Sequence, residues 1–408
     1  MSNTFKIPEL LCPAGDIERL YAAVDYGADA VYLAGEEFGM RTAATNFGEE
    51  DLIKGIEYAH KNNVKVHVAC NTLPRNDEID RIPQFLEFLN SAGADAVIAA
   101  DIGTISLVKK YAPNIDLHVS VQSGIVNYVT ANEFYNMGAK RIVLARELSL
   151  EEISGIRAKT PKDLEIETFV HGAMCVSFSA RCLLSSYMTG RDANRGDCAQ
   201  PCRWSYSLIE QKRPGELYDI TETDKGTYIL NANDLNMSKH LDLLAKAGVD
   251  SLKIEGRAKS HYYVAVATNA YRGALDSLKE NPGNWQLPSW VDEELNKISH
   301  RTYSTGFYFG TPKNSQTYQS AGYVRDYTVA GVVTGYENSM VKVVMKNKFS
   351  LGCEFDCLEP KNMPFTFKAN ELYDINLNPL ESAIHPMMEV LIPYERPIKT
   401  GALLRIKA

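Results

Sequence analysis

No stretch of the 408-residue sequence approaches the ~18 uninterrupted apolar residues that a membrane span requires, which predicts a protein without a membrane. The opening, MSNTFKIPEL, has neither a basic segment nor an apolar core, so no secretory signal is visible and a cytoplasmic location is expected. Positive charge is also in short supply. Lys and Arg number 43 against 51 Asp and Glu, a formal net charge of −8, so the surface as a whole does not resemble a nucleic-acid coat protein. GxGxxG, HExxH, GxSxG and the phosphate-binding GxxxxGK motif are all missing. Ser106 and Lys109 match SxxK, but inside a predicted helix, where that spacing is common by chance. Nothing here names a proteolytic nucleophile.

What is present begins with an ordinary globular composition, 45% hydrophobic and 23% charged, with room for a large core and a second domain. A repeat organises the first 260 residues. Gly-Ala-Asp-Ala-Val at 27–31 recurs at 93–97 and degenerates at 138–142 and 248–252. Each copy follows a helical pattern and opens a short apolar run: AVYLA, AVIAA, RIVLA and SLKIE. Glycine ends the helix and the apolar run reads as a buried strand. Further strand-like runs start at 9, 64, 117 and 164, making eight in all. Eight alternating β/α units predict an α/β fold, a TIM-type (β/α)8 barrel over 1–275, with a doubly wound sheet as runner-up. A connector with a short helix is expected over 276–320. From 321 to 408 strand patterns dominate and predict a small antiparallel β-barrel or sandwich.

A barrel places its functional residues just after the strand ends. Polar residues collect there: Glu36, Glu37 and Arg41, then Asn71, Asp101, Gln122, Asn127, Arg146, Glu147 and His171, and finally Glu255 and Arg257. Lys253, Glu255 and Arg257 alternate through the last strand, so they share one side. There they either neutralise carboxylates of a ligand or form an internal ion pair that plugs the barrel. His171, beside a glycine at a strand end, reads as a base, a ligand or a satisfied structural residue.

Four of the eight cysteines, Cys175, Cys182, Cys198 and Cys202, lie within 28 residues, where an even scatter would put about half of one. They fall in an insertion over about 172–230 that should hang over the barrel mouth. Such a cluster is a metal-ligand set, a disulfide framework or a redox pair. A cytosolic setting disfavours disulfides. Only Cys198 and Cys202 have the short spacing of a zinc knuckle, whereas iron–sulfur clusters tolerate scattered thiolates, so the weight moves to iron–sulfur, with zinc and unliganded thiols as alternatives. Cys12 and Cys70 read as core residues, and Cys353 with Cys357 as a chance pairing or a local redox pair. Arg181, Arg191, Arg195 and Arg203 face Asp192 and Asp197 around the cluster. That reads as a solvated loop or as an anion-binding rim.

The run ETFVHGAMC at 167–175, continuing through RCLLS at 181–185, resembles the signature of the collagenase-like peptidase family of unknown catalytic type. LLCPAGD at 10–16, YGADAVYLAG at 26–35, RTAATNF at 41–47, RGDCAQPCR at 195–203, KIEGR at 253–257 and RTYSTGF at 301–307 extend the match. Ala180 departs from it, standing where relatives carry glycine, as does Asn236, where some carry a further cysteine. The resemblance implies either a peptidase acting on collagen or an oxygen-independent hydroxylation protein. The hydroxylating members act on tRNA wobble uridine with prephenate as oxygen source, on ribosomal RNA cytidine or in quinone synthesis, and several hold four-cysteine [4Fe–4S] clusters. The length and the C-terminal β domain look most like the tRNA branch, and the missing hydrolase motifs favour hydroxylation. On that reading Cys175, Cys182, Cys198 and Cys202 hold the cluster. Arg41, Asn71, Gln122, Arg146, Lys253 and Arg257 bind a small dicarboxylate, and Glu167, His171 and Glu255 are the catalytic candidates. tRNA is the macromolecular partner, with a homodimer or a paralogous subunit also open.

Overall fold

The computed structural model describes residues 5–40, 46–175, 177–204, 222–223, 226–227, 232–310 and 326–407. Eight parallel strands close into a barrel: β1 (Glu9–Pro13), β2 (Ala30–Leu33), β3 (Lys65–Cys70), β4 (Ala96–Ala99), β5 (Asp116–Val119), β6 (Ala139–Val143), β7 (Glu165–Ala173) and β8 (Ser251–Ile254). Each pairs with the next in sequence order, and β8 pairs with both β7 and β1, which completes the cylinder. A helix follows every strand, from Ile17–Asp25 after β1 to His261–Glu280 after β8. This is the (β/α)8 topology. No described helix is long and apolar enough to cross a membrane.

The Gly-Ala-Asp repeat has a structural cause at both of its ends. Gly27, Gly93, Gly138 and Gly248 all have positive φ, between 81° and 110°, which lets each preceding helix stop and turn into a strand. The aspartate then caps a neighbouring strand. Asp29 Oδ2 accepts from the Leu10 N–H (2.8 Å), Asp95 Oδ2 from Val66 (2.7 Å) and Asp250 Oδ2 from Ile166 (3.0 Å). Each cap satisfies a strand-end donor that the ladder leaves unpaired. In the third copy Lys140 replaces the acid and donates to the Asp163 carbonyl instead (3.1 Å).

The barrel interior is charged toward its N-terminal half. Arg141 on β6 is 2% exposed and is held by Glu9 (2.6 Å), Glu165 (2.6 Å) and Glu167 (3.1 Å). His67 and His118 stack edge to face beside it, 4.6 Å between ring centres. Leu11, Ala30, Tyr32 and Ile98 form a separate apolar group within the cylinder.

The connector region carries the end of helix His261–Glu280, the helix Ser289–Asn296 and the short strand Tyr303–Ser304, which pairs with Asp234–Asn236. From Tyr327 onward the chain forms a seven-stranded antiparallel sheet with its own apolar core. The C-terminal unit docks beside the barrel. Tyr26 Oη donates to the carbonyls of Leu358 (3.0 Å) and Gly401 (2.9 Å), and fully buried Arg405 binds Glu294 and Asp356. Cys353 and Cys357 are four positions apart along extended backbone, about 13 Å at strand rise, so they do not form a redox pair.

Candidate active site at the barrel mouth

The C-terminal ends of the strands surround a cavity lined by Asn71, Ser120, Gln122, Arg146, Lys253, Glu255 and Arg257, with Tyr32, Phe169 and Met40 among its apolar walls. Six of the sequence-predicted residues meet here. Lys253, the penultimate residue of its strand, points into the cylinder, while Glu255 and Arg257 lie just past the strand end, on the same cavity. Close packing of backbone makes that possible. A Cβ on Gly15 would sit 2.0 Å from the Arg257 carbonyl oxygen, and one on Gly172 2.3 Å from that of Glu255.

Positive charge dominates the lining. Arg146 donates to the Ala173 carbonyl (2.9 Å) and to Glu255 (3.0 Å), with its guanidinium 3.6 Å from the centre of the Phe169 ring. Lys253 Nζ binds Glu167 at 2.9 Å and lies 4.3 Å from the Tyr32 ring centre. Asn71 donates to Ser120 Oγ (3.3 Å) and accepts from the Met40 N–H (3.1 Å). Gln122 differs from these. It is 3% exposed, and among the described residues neither its amide nitrogen nor its amide oxygen has a partner. A buried primary amide without hydrogen bonds costs free energy that a bound polar group would recover.

Two expected proton-handling residues do not line the cavity. Glu167 lies beneath it, 1% exposed, clamped by Lys253, by Arg141 and by Ser251 Oγ (3.3 Å). Burial alone would raise its carboxyl, but Lys253 and Arg141 together hold it below the usual carboxylate range. His171 faces outward from β7, among Tyr263, Tyr271 and Tyr303. Burial lowers its pKa to about 3, with Asp234 pulling the other way, so its imidazole is neutral at neutral pH. Arg41 lies outside the described residues. Asp101 and Asn127 cap helices, accepting from the Thr104 and Thr130 N–H groups (2.9 Å each). Ser120 and Arg141 were not singled out in the sequence. For Arg141 a signal existed: an arginine inside an apolar strand run that otherwise reads as buried.

The cysteine segment is pinned over this face. Ser179 binds Glu147, after β6, through its N–H (2.8 Å) and its hydroxyl (3.1 Å). Arg195 pairs with Glu78, in the short helix Asn76–Ile79 after β3, and Asp192 with Arg75, which precedes that helix (3.7 Å). The sulfurs of Cys175, Cys182 and Cys198 each accept a backbone N–H from two residues downstream: Ser177 (3.4 Å), Leu184 (3.3 Å) and Gln200 (3.4 Å). Burial pushes the Cys202 thiol up. Arg203 opposes this, and Cys175, Cys198 and Cys182 raise it further, so the four sulfurs share one electrostatic neighbourhood. Ser179 and Gln200 adopt positive φ (46° and 56°) although neither is glycine, strain of a kind that collects at functional sites. Among the described residues no three His, Cys, Asp or Glu side chains converge as ligands of a single metal ion. A multi-iron cluster spreads its thiolates over several metal atoms, and N–H donors aimed at sulfur suit it.

A family model described as peptidase family U32 matches residues 15–318, and one for the family's C-terminal domain matches 325–405. The tRNA hydroxylation protein P1 of Bacillus subtilis is 36% identical over 403 residues, covering 98% of this chain and 95% of that protein. The tRNA hydroxylation protein P of Escherichia coli is 37% identical over 407 residues, covering 89% of each. An uncharacterized protease of Methanocaldococcus jannaschii is 42% identical over 353 residues, covering 84% of this chain and 85% of that protein. With the barrel and the C-terminal sheet each matched by its own model, and relatives aligned along nearly the whole length, the chain belongs to peptidase family U32.

Proposed function

We propose that this protein is an RNA-modifying enzyme that hydroxylates tRNA. Its finer reaction is oxygen-independent 5-hydroxylation of the wobble uridine, with prephenate as oxygen source and a [4Fe–4S] cluster held by Cys175, Cys182, Cys198 and Cys202, in the cytoplasm. The observation that carries the reading is a four-cysteine lid, with three sulfurs already receiving N–H donors, pinned over a cation-lined cavity. Near-full-length similarity to two proteins named for tRNA hydroxylation supports it.

A bound cluster with each iron held by a cysteine would supply electron transfer. The chain's own residues do the rest. Arg146, Lys253 and Arg257 offer the charge complement of a dicarboxylate, and the Gln122 amide offers a donor to a carboxylate oxygen and an acceptor to a ligand hydroxyl. Glu255, held by Arg146, is the carboxylate positioned on the cavity for proton transfer. Among the described residues the cavity lining includes no histidine and no cysteine.

Mass spectrometry of tRNA nucleosides from a deletion strain tests the reading. Loss of 5-hydroxyuridine derivatives, restored by the gene in trans, is expected. Unchanged levels in a strain without a second family member would end it. Glu255→Gln should abolish restoration while leaving iron content intact.

A further inference from the structure

The cysteine segment exposes several large side chains. Tyr187 is 83% exposed, Leu183 57%, Phe178 49%, Met188 46% and Trp204 41%, three rings among five side chains. Single exposed apolar residues are ordinary, but several on one short segment form a patch. These belong to one packed body. Helix Leu184–Thr189 packs on the turn Pro201–Arg203, and the Ala199 N–H donates to Ser185 Oγ at 3.0 Å. The patch adjoins the barrel mouth, because the turn Phe178–Ala180 packs on Val121–Ser123, next to Gln122 of the cavity. Arginines interleave with the rings: Arg181 and Arg191 are exposed and Arg203 is half-buried. The segment carries four arginines against two aspartates, on a chain whose net charge is −8.

An aliphatic patch would suit a protein partner. Planar rings mixed with guanidinium groups suit bases and phosphates instead. Base faces become available only where the nucleic acid is unpaired, because a duplex buries them in its own stack.

We propose that this face is a stacking platform for the unpaired bases of an RNA loop, with Tyr187 and Trp204 taking bases and Arg181 meeting phosphate. The proposal rests on the RNA-modification reading and adds which part of the RNA is held and by which residues.

The test uses full-length, cluster-containing protein under anaerobic conditions, with a fluorescent hairpin RNA carrying an unpaired loop and the same strand annealed to its complement. The wild-type protein should bind the hairpin in preference to the duplex. Tyr187→Ala should weaken hairpin binding by about 5- to 150-fold, the range of one lost base stack, and Tyr187→Phe should retain it. Arg181→Ala should lower the slope of log affinity against log salt by about 0.7, the loss of one single-strand phosphate contact. Tyr187 projects into solvent, so iron content and melting temperature should not change. Unaltered hairpin binding by both Tyr187→Ala and Trp204→Ala overturns the platform, even if deletion still abolishes tRNA hydroxylation. A shift in sedimentation with unaltered hairpin binding makes the patch a contact between copies and also overturns it. Failure of the RNA reading itself is a different result: a wild-type protein that binds neither RNA, with tRNA hydroxylation intact in the deletion strain.

Discussion

Gln122 shows how a single residue can be costly and useful at once. Its buried amide has no protein partner among the described residues, and a buried amide left unsatisfied costs about 1–3 kcal/mol. Gln122→Met keeps the volume and removes that penalty. Thermal unfolding should therefore show a higher Tm for the variant, while calorimetry with a dicarboxylate such as prephenate should show weaker binding than wild type. A variant of lower stability would mean the amide is already satisfied. Glu167 carries the opposite expectation. It balances Lys253 and Arg141 in a closed interior, so Glu167→Gln leaves buried positive charge uncompensated and should cost about 3–5 kcal/mol in denaturant unfolding. His171 shows where reading residues along a chain stops. Its place beside glycine at a strand end was legible, but a bulge in the pairing of β7 with β8 turns the ring toward Tyr271 rather than toward the cavity. A register shift of one residue reverses the face, and no pattern in the sequence announces it.

Among the elements, the strands were the most legible, because burial on both faces requires apolar runs and the Gly-Ala-Asp repeat marks their starts. All eight expected runs are barrel strands. The polar residues after them were legible as a set, though not by role. Asp101 and Asn127 cap helices, whereas Asn71, Gln122 and Arg146 reach the cavity, and these uses share the same residue types at the same kind of position. The cysteine segment has little regular structure, and its spacing alone left zinc and iron–sulfur open. Its local hydrogen bonds lead to a definite expectation. Anaerobically purified protein should be brown, with about four irons and four labile sulfides per chain, and Cys198→Ser should bleach it. Cys202→Ser should do the same if all four thiolates ligate. Retention of full iron in that variant would remove Cys202 from the ligand set.

For the whole molecule, the interior charges set the response to acid. His67, His118 and His171 are buried, and burial holds each pKa below its ordinary value. Below pH about 6.5 the unfolded chain takes up protons on these rings that the folded chain refuses. Their contribution is complete above that pH and is withdrawn as pH falls, down to about 3 for His171. Each ring should add about 1.4 kcal/mol per pH unit to the slope of stability against pH. Denaturant unfolding between pH 7 and 5 should show this fall together with net proton uptake on unfolding, and a flat profile would contradict it. The C-terminal sheet is tied to the barrel by another buried charge. Glu294→Ala would remove one of the two carboxylates that hold buried Arg405 and should lower stability by about 3–5 kcal/mol.

The sequence by itself determined the eight strands, the helix ends and the clustering of four cysteines in one insertion, because those features follow from local periodicity, glycine conformation and spacing. Tertiary structure alone decided which polar residues share a cavity. It set Glu167 under a lysine lid, turned His171 out of the site and left Gln122 without partners among the described residues. Those outcomes depend on strand register, on a bulge and on close approach between segments distant in the chain, where a displacement of one residue changes which side of the barrel a side chain faces.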